Sequence, residues 1–540
     1  MKVECVIVLI CLSLKVCALS DLDEQLFDAV REGNKDVAEL LINRGANINA
    51  EDVEKNTPLH LAAGMGNKDV AELLLSSGAN INAEDKDKQT PLHVSSRRGQ
   101  NEMVNLLINR GANINAEDKD KQTPLHVAAR SGQKEMVNLL INRGANINAE
   151  DEDKETPLHV AARSGNKYVT ELLINRGANI NAEDKDREMP LSIATKNGRN
   201  DVAELLISHG ANINTENKYK QTLLYIASAN LNRYLTELLI SHGADINAGD
   251  KDKLTPLHIA VRKGDKDMVA LLINRTANLN AEDKYKQTPL HEALKYGRKD
   301  LADLLIKHGA NINAENTHKQ TPLHKASDNL DMAEFLINRD ANINSEDRNK
   351  NTPLHYAVLS GNKDMAELLI NHGANINAED KDKRTPLYVA VHSDEKEMAE
   401  LLIKRGANIN AEDKHKQTPL HEASVKNRTD FAELLISHGA NISAEDKYKR
   451  TPLHLASLHG KGDLVKLFIN RGANINIEDE DKRTPLHLAS GWGNKDMVEL
   501  LINLGANINT EDKFKNTPLY IAIYNGRKDM AELLRKHGAI

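Results

Sequence analysis

Histidine is the residue type in this sequence best suited to chemistry, as a metal ligand or a general base, and the chain has 21 histidines. Their positions argue against both roles. Eleven end the tetrapeptide Thr-Pro-Leu-His, and six precede a glycine after an apolar stretch, where a basic group suits the C-terminus of a helix. Only His318, His392, His415 and His459 fall elsewhere, each in a different copy of a repeated stretch.

Other catalytic and metal-binding patterns are absent from the sequence. It contains no HExxH, no Cys-His set, no P-loop glycine motif and no G-x-S-x-G elbow. The three cysteines, Cys5, Cys11 and Cys17, all precede the repeated stretches. We therefore expect no enzymatic activity, no cofactor and no metal.

The chain consists of sixteen copies of one stretch, most regular at residues 121–150, KQTPLHVAARSGQKEMVNLLINRGANINAE. The copies follow one another every 33 residues, apart from one 31-residue step between Thr321 and Thr352. In each copy the threonine suits a helix N-cap, where its hydroxyl can accept an orphan amide, and the proline suits the first helical position. A glycine then separates a short helix from a second, apolar helix. A fixed period of this length is typical of a solenoid, in which each helix pair packs only on its neighbours.

The stretch resembles the ankyrin repeat, whose pattern is a turn, T-P-L-H-x-A-A, a second apolar helix and G-A-x-x-N. The resemblance covers Asp21 to Ile540 and implies an all-α repeat solenoid of helix-turn-helix units and β-turn fingers, in a single elongated curved domain. It also implies that the Thr-Pro-Leu-His histidine is a structural hydrogen-bonding residue between neighbouring repeats. The expected organisation is a signal peptide at 1–18, an N-terminal capping repeat at 19–56, internal repeats at 57–516 and a C-terminal capping repeat at 517–540.

Residues 1–18 have the pattern of a secretory signal peptide. Lys2 precedes the apolar run 6–14, and the sequence 16–18 provides small or modest residues for cleavage after Ala18, with Ser20 as a second choice. The run is too short to span a membrane. We expect a secreted protein; the alternative is a cytoplasmic protein with an apolar tail. Secretion would make N-glycosylation candidates of the three sequon asparagines, Asn274, Asn427 and Asn441.

Irregular copies cluster in two places. Around Met189 and Thr222 the tetrapeptide changes to MPLS and TLLY, and the copy at Thr321 lacks two residues of its inter-helix turn. Weak units in a solenoid determine where the array bends or opens. These copies are either hinges or the product of neutral drift in a redundant array.

The fingers depart from the ankyrin pattern at one position throughout. Two residues before each threonine, where the family usually has glycine, all fifteen copies carry lysine or arginine. A left-handed conformation costs a non-glycine residue about 1 kcal/mol, so the finger is either strained or uses another turn type. Acidic residues usually precede this position, which predicts a row of alternating charge in which one finger's lysine meets its neighbour's carboxylate.

The resemblance implies that partners bind on the concave side, through the fingers and the ends of the first helices. The two residues before the inter-helix glycine are basic in the third to eighth copies and become apolar or aromatic near the C-terminus. Arginine and aromatic side chains dominate interface hot spots. The alternative is ordinary surface variation. The candidate partner-binding residues are Arg97, Arg98, Arg130, Arg163, Arg262, Lys263, Tyr219, Tyr285, Tyr296, Tyr448, Trp492 and Tyr524.

Nucleic acid is a weaker expectation for the partner. Four fingertips place an aromatic residue, Tyr219, Tyr285, Tyr448 or Phe514, between lysines, as single-strand binders do. However, acidic residues flank most of these fingertips and the net charge is −8. The sequence therefore predicts a secreted, monomeric scaffold for protein partners, with no nucleic acid and no stable membrane span. Its rivals are an intracellular adaptor and a secreted membrane-acting protein similar to the latrotoxins, which also carry long ankyrin arrays.

Overall fold

The computed structural model describes residues 19–540, which form 32 α-helices and no β-strand. The predicted all-α repeat solenoid is confirmed, and the predicted signal peptide at 1–18 lies outside the described residues. The described residues divide into two compact units, a first that ends at Asn278 and a second at Leu279–Ile540. The single elongated domain therefore stays a prediction.

The first unit contains eight helix pairs, each a first helix that follows a finger and a second helix that returns. In chain order, helices α1–α16 are Asp21–Glu32, Lys35–Asn43, Pro58–Met65, Lys68–Ser76, Pro91–Arg98, Asn101–Asn109, Pro124–Ser131, Lys134–Asn142, Pro157–Ser164, Lys167–Asn175, Pro190–Lys196, Asn200–Ser208, Leu223–Ala229, Arg233–Ser241, Pro256–Lys263 and Lys266–Asn274.

The second unit has the same organisation, again with eight helix pairs. Helices α17–α32 are Pro289–Lys295, Lys299–Lys307, Pro322–Lys325, Leu330–Ile337, Pro353–Leu359, Lys363–Asn371, Pro386–Ser393, Lys396–Lys404, Pro419–Lys426, Thr429–Ser437, Pro452–Leu458, Gly462–Asn470, Pro485–Trp492, Lys495–Asn503, Pro518–Tyr524 and Lys528–Lys536.

The core of each unit lies between successive helix pairs. In the regular fourth copy, Leu125 and Ala128 of α7 and Leu140 of α8 are fully buried. Small alanines on the first helix let neighbouring first helices approach closely. Gly132 ends α7 in the left-handed conformation, with φ +74°, as the repeat pattern predicts.

The Thr-Pro-Leu-His histidine joins each copy to the next. In the fourth copy, Nδ1 of His126 lies 3.1 Å from the backbone nitrogen of Thr123 and 2.9 Å from its Oγ1. Nε2 lies 2.9 Å from the carbonyl oxygen of Glu155 in the following copy. Because Nδ1 accepts the Thr123 N–H, the ring is neutral with its proton on Nε2, which donates to Glu155. The implied structural role is confirmed, and the same contacts recur at His60, His93, His159, His291, His324, His355, His421, His454 and His487.

The expected threonine N-cap is present as a capping box shared with the histidine. The side chain of Thr123 faces the backbone N–H of His126, and the imidazole of His126 accepts the backbone N–H of Thr123 and lies 2.9 Å from its hydroxyl. Where tyrosine replaces histidine the threonine caps alone, as in Thr222, whose Oγ1 accepts the backbone N–H of Tyr225 at 3.2 Å.

A buried or half-buried aspartate shapes each finger, except that Asn217 and Asn316 take its place in two of them. Asp118 is 6% exposed, and its Oδ1 accepts the N–H groups of Asp120 at 3.0 Å and Gln122 at 2.8 Å. Its backbone carbonyl accepts the N–H of Lys121 at 2.9 Å, and Lys121 has φ +58°. All fifteen basic residues at this position have φ between 56° and 66°. The finger therefore keeps the left-handed turn, and the expectation of another turn type is excluded.

Neighbouring fingers are joined by one backbone bond and, in many copies, one ion pair. Lys119 donates its N–H to the carbonyl of Asp87 at 2.9 Å, and its Nζ lies 2.7 Å from Asp87 Oδ1. The predicted row of paired charges is thus present, and its lysines lie two positions before the left-handed residues. Equivalent pairs join Lys86 to Glu54, Lys185 to Asp153, Lys218 to Asp186, Lys414 to Asp382 and Lys513 to Asp481.

Asparagines form a second row of bonds between copies. Oδ1 of Asn82 accepts the N–H of Asn113 in the next copy at 2.9 Å, and Oδ1 of Asn113 accepts the N–H of Asn115 at 3.1 Å. Asn115 continues the row into the following copy. Serine at Ser443 interrupts it, and the N–H of Asn474 has no hydrogen bond among the described residues.

The irregular copies keep their helices with altered caps. Leu231 takes the glycine position of the TLLY copy with φ +56°, and α19 in the shortened copy is only four residues long. Their role as hinges stays a prediction.

Candidate functional site

We call the surface between the fingers and the ends of the first helices the groove. Side chains at one repeated position cross it. This position lies seven residues after the threonine, and its side chain reaches back to the residue just before that threonine. The guanidinium of Arg163 pairs with both carboxylate oxygens of Glu155, and Lys196 Nζ lies 3.1 Å from Glu188 Oε1. We call it the bridging position, because it links helix to finger across the groove.

The predicted basic residues lie along the groove, but their charges are not equally available. Arg163 is neutralised by Glu155, while Arg97 bonds the neutral amide oxygen of Gln89. Among the described residues, Arg97, Arg98 and Arg130 have no carboxylate within ion-pair distance, and all three are exposed. Further along, Lys263 is exposed and Arg262 is half-buried.

Two clefts open in the first unit where the bridging position carries a small residue. At Gly64 a cleft of about 480 Å³ is lined by Leu61, Met65, Val94 and Arg98, among other residues. A second cleft, of about 470 Å³, lies beside Ala229, with Tyr219, Tyr225 and Ile226 in its walls. Sequence reasoning missed both clefts because it looked for charged and aromatic side chains at the bridging position. The available signal was the small residue, glycine or alanine, that stands there instead.

Burial raises the pKa of Tyr225 in the second cleft to about 12, and the neighbouring carboxylate of Asp250 acts in the same direction. The cleft also contains the Glu188–Lys196 ion pair. Its charges are therefore largely compensated within the protein.

The predicted aromatic residues near the C-terminus lie at the groove. Trp492 ends α29 and is 69% exposed, and Tyr524 ends α31 and is 80% exposed. Gly491 lets the next first helix approach α29 closely, because a Cβ at this position would lie 3.2 Å from Cγ2 of Ile521. The ring of Tyr520, which sequence reasoning missed, stacks on Tyr524 with centroids 6.3 Å apart. The signal for Tyr520 was its place in the histidine slot.

Tyr296 does not belong to that cluster. It follows α17, six copies before Trp492, and is 43% exposed with Lys295 Nζ 5.4 Å from its ring centroid.

A family profile described as ankyrin repeats, three copies, matches the sequence in overlapping segments from 4–85 to 453–540, which together cover residues 4–540. The chain belongs to the ankyrin repeat family. Ankyrin repeat proteins are generally non-enzymatic scaffolds whose repeats bind other proteins. No curated protein matches this sequence significantly. Within residues 19–540, none of the helices combines the length and the apolar character needed to cross a bilayer.

The finger tyrosines of this ankyrin repeat protein replace the carboxylate of the finger-to-finger ion pair. Tyr219 stands where Asp87 stands in its own finger, and Lys251 of the next finger places Nζ 5.7 Å from the tyrosine ring centroid. Tyr285 and Tyr448 have lysines 4.9 and 4.7 Å from their ring centroids. The cation–π contact of Tyr219 with Lys251 thus takes the place of the ion pair between fingers, whereas Lys284 and Lys447 lie in the same fingers as Tyr285 and Tyr448.

The three sequon asparagines are exposed. Asn441 accepts the N–H of Ser443 through Oδ1 at 3.0 Å, which leaves its amide nitrogen outward. Asn427 ends α25 with φ +61°, and Asn274 is the last residue of α16. Their modification stays a prediction.

One histidine outside the repeat pattern belongs to a polar cluster in the second unit. His392 Nδ1 lies 2.7 Å from Glu422 Oε1, and the hydroxyl of Tyr388 donates to Glu422 Oε2 at 2.9 Å. Burial, followed by the Glu422 charge, raises the pKa of Tyr388. In the described part of the chain, no group of three or more His, Cys, Asp or Glu side chains has the arrangement of a metal site.

Proposed function

We propose that this ankyrin repeat protein is a secreted, monomeric and non-enzymatic scaffold that binds a partner protein through the groove. The exposure of Trp492 carries the proposal. Burying a large aromatic side chain contributes about 2–3 kcal/mol, so 69% exposure in the free protein leaves most of that free energy available to a complex. Other copies place Ser131 or Ser164 at the same position, so repeat packing does not require tryptophan there.

Neighbouring groups extend this exposed surface. Tyr520 and Tyr524 form a stacked pair on α31, and Ile523 between them is 49% exposed. Rigid aromatic side chains lose little conformational entropy on binding, which suits them as interface anchors. The proposed partner surface is therefore the cluster of Trp492, Tyr520, Ile523 and Tyr524.

Secretion is proposed from the sequence of residues 1–18. The first helix supports cleavage after Ala18 over cleavage after Ser20. Ser20 is the N-cap of α1, with Oγ accepting the N–H of Asp23 at 3.2 Å and donating to Asp23 Oδ2 at 2.6 Å. Cleavage after Ala18 keeps this cap, and cleavage after Ser20 removes it.

Substitution of the tryptophan tests the binding surface. Proteins captured on the full chain from extracellular fluid are compared between wild type, Trp492→Ala and the control Tyr168→Ala. Tyr168 is 67% exposed but lies on α10, a second helix. We expect Trp492→Ala to melt as wild type does and to weaken capture by about 2 kcal/mol, while the control binds normally.

Fluorescence gives an independent measurement, because Trp492 is the sole tryptophan. Emission from the free protein should be red-shifted and should move to the blue on complex formation. Blue emission in the free protein, together with a lower melting temperature for Trp492→Ala, would identify a core residue and refute the site. Fusion of residues 1–20 to a reporter tests secretion, and a reporter retained in the cytoplasm would favour the intracellular adaptor.

A further inference from the structure

The cleft at Gly64 has no bridging side chain across it, a property that it shares with the cleft at Ala229. In the next three copies the bridging position holds arginine, and Arg97 and Arg163 each reach the residue before the threonine. Gly64 cannot do so. Its missing Cβ would lie 3.1 Å from Cγ1 of Val94, so glycine also permits the close approach of the next first helix.

Part of the wall of this cleft is apolar and accessible. Met65 is 50% exposed, while Leu61 and Val94 are partly exposed. The equivalent of Met65 is Ser131 in the regular fourth copy, so packing between copies does not demand an apolar residue at this position. A flexible, polarisable methionine is suited to covering a bound side chain.

The charge beside the cleft is positive and uncompensated. Arg98 lines the cleft, and Arg97 and Arg130 follow along the groove, all three without a carboxylate within ion-pair distance among the described residues. In the finger row beside the cleft, Glu54 pairs with Lys86 and Asp87 with Lys119, so these two carboxylates are already neutralised.

The remaining charged groups of the cleft are held within the protein. Asp52 accepts the N–H groups of Glu54 at 2.9 Å and Asn56 at 2.8 Å. Arg31 on the opposite side pairs with Asp28 at 2.6 Å.

We propose that the Gly64 cleft binds an acidic, extended segment of a partner protein, which inserts one apolar side chain against Met65 and pairs its carboxylates with Arg98, Arg97 and Arg130. The inference rests on the proposed scaffold function and names a second binding surface, in the first unit. A peptide can use both features of the site, because it can place an apolar side chain in the cleft and carboxylates beside the guanidinium groups. A nucleic acid or a sulfated polysaccharide would satisfy the arginines and leave the cleft unused.

The cleft at Ala229 provides an internal comparison. It has nearly the same volume and also lacks a bridging cation, but its neighbouring charges are paired, Glu188 with Lys196. An acidic segment should therefore prefer the Gly64 cleft.

The test uses the full chain and a fluorescein-labelled peptide of glutamates around one central phenylalanine, followed by fluorescence anisotropy. Two further peptides carry serine for phenylalanine or lysine for every glutamate. The protein variants are Gly64→Arg, which places a bridging cation across the cleft, Met65→Ser and the double variant Arg97→Gln/Arg98→Gln. Ala229→Arg is the matched control, and circular dichroism confirms that each variant folds.

We expect the phenylalanine peptide to bind wild type and Ala229→Arg alike, and the other three variants about tenfold more weakly. The serine peptide should also bind about tenfold more weakly, and the lysine peptide not at all. Equal binding to all variants, or no binding to wild type, overturns the proposal. Competition by a heparin fragment or oligothymidine, combined with indifference to phenylalanine, also overturns it in favour of a polyanion site. Capture that depends on Trp492 is measured separately, so failure here leaves the scaffold function standing.

Discussion

Acid should destabilise this protein through its buried histidines, and His126 allows the size of the effect to be worked out. Burial is the largest cause that lowers the pKa of His126, from 6.5 to about 4, and the nearby charge of Arg130 adds to it. The hydrogen bond to the Glu155 carbonyl acts in the opposite direction and raises the pKa. A proton on Nδ1 would break the bond from the backbone N–H of Thr123 and reverse the bond with the Thr123 hydroxyl.

The sign follows from comparing the two states. An unfolded chain takes up a proton on this histidine as the pH falls through 6.5, while the folded chain does not until about pH 4. The free energy of unfolding is therefore highest above pH 6.5 and falls between pH 6.5 and pH 4. Moving from pH 7 to pH 5 should cost about 2 kcal/mol for this residue. Burial lowers the pKa of His291 and His454 to about 4 in the same way, so the whole chain should lose more.

The variant His126→Gln isolates this contribution, because glutamine does not titrate. At pH 7 the variant should be less stable than wild type, since the bonds to Thr123 and Glu155 are altered. At pH 5 the difference should shrink by about 2 kcal/mol, because only wild type loses stability at this site. Urea unfolding at both pH values and constant ionic strength measures it, with hydrogen exchange over residues 124–142 as the local probe. A difference that is the same at both pH values would refute the argument.

Three further outcomes are expected. Lys121→Gly should stabilise the protein by roughly 0.5–1 kcal/mol in urea unfolding, because relief of the left-handed strain exceeds the entropy of glycine in the unfolded chain, while the control Lys119→Gly should destabilise it. Ser443→Asn should restore the interrupted asparagine row and raise the free energy of unfolding by about 0.5–1.5 kcal/mol, with Ser443→Ala neutral. Secreted protein should begin at Leu19 by N-terminal sequencing, and Ser20→Ala should lower its stability by about 1 kcal/mol, which a normal melting curve would contradict.

Much of the fold was predictable because the same helix-start and helix-end residues recur in nearly every copy. Proline marks the start of fourteen first helices, after threonine in thirteen of them and after Met189 in one, and Leu223 takes its place in a fifteenth; the structure places each start there. The role of histidine came from the resemblance and holds in detail, as the contact of His126 with Glu155 shows. The polarity of the finger row was also foreseeable, because lysines and carboxylates alternate along it.

Two hydrogen-bond networks, within the fingers and between the asparagines, were not predictable. They depend on polar residues that the sequence alone suggests are solvent-exposed. Asp118 belongs to an acidic pair in the sequence, yet its carboxylate is buried and organises the finger. Asn82 and Asn113 read as solvent-exposed polar residues, and only the stacking brings one side chain to the backbone of the other. The recurrence of both residue types in nearly every copy was the available signal.

The clefts show why the groove was harder to predict than the fold. The bridging position varies from glycine to arginine between copies, and where it is glycine the next first helix comes close, as Val94 does at Gly64. Whether the groove is open at a given copy depends on whether the side chain at the bridging position is long enough to reach the finger. Arg163 closes the groove over Glu155, and Gly64 leaves it open.

In an array whose fingers and helix caps are nearly identical, this position and the residue after it are where one copy can differ from the next. At Gly64 the small residue leaves a cleft that the following residue, Met65, lines, and after Gly491 the following residue, Trp492, is 69% exposed. Specificity for partners would then depend on which copies lack a bridging cation and on the residue that follows in those copies.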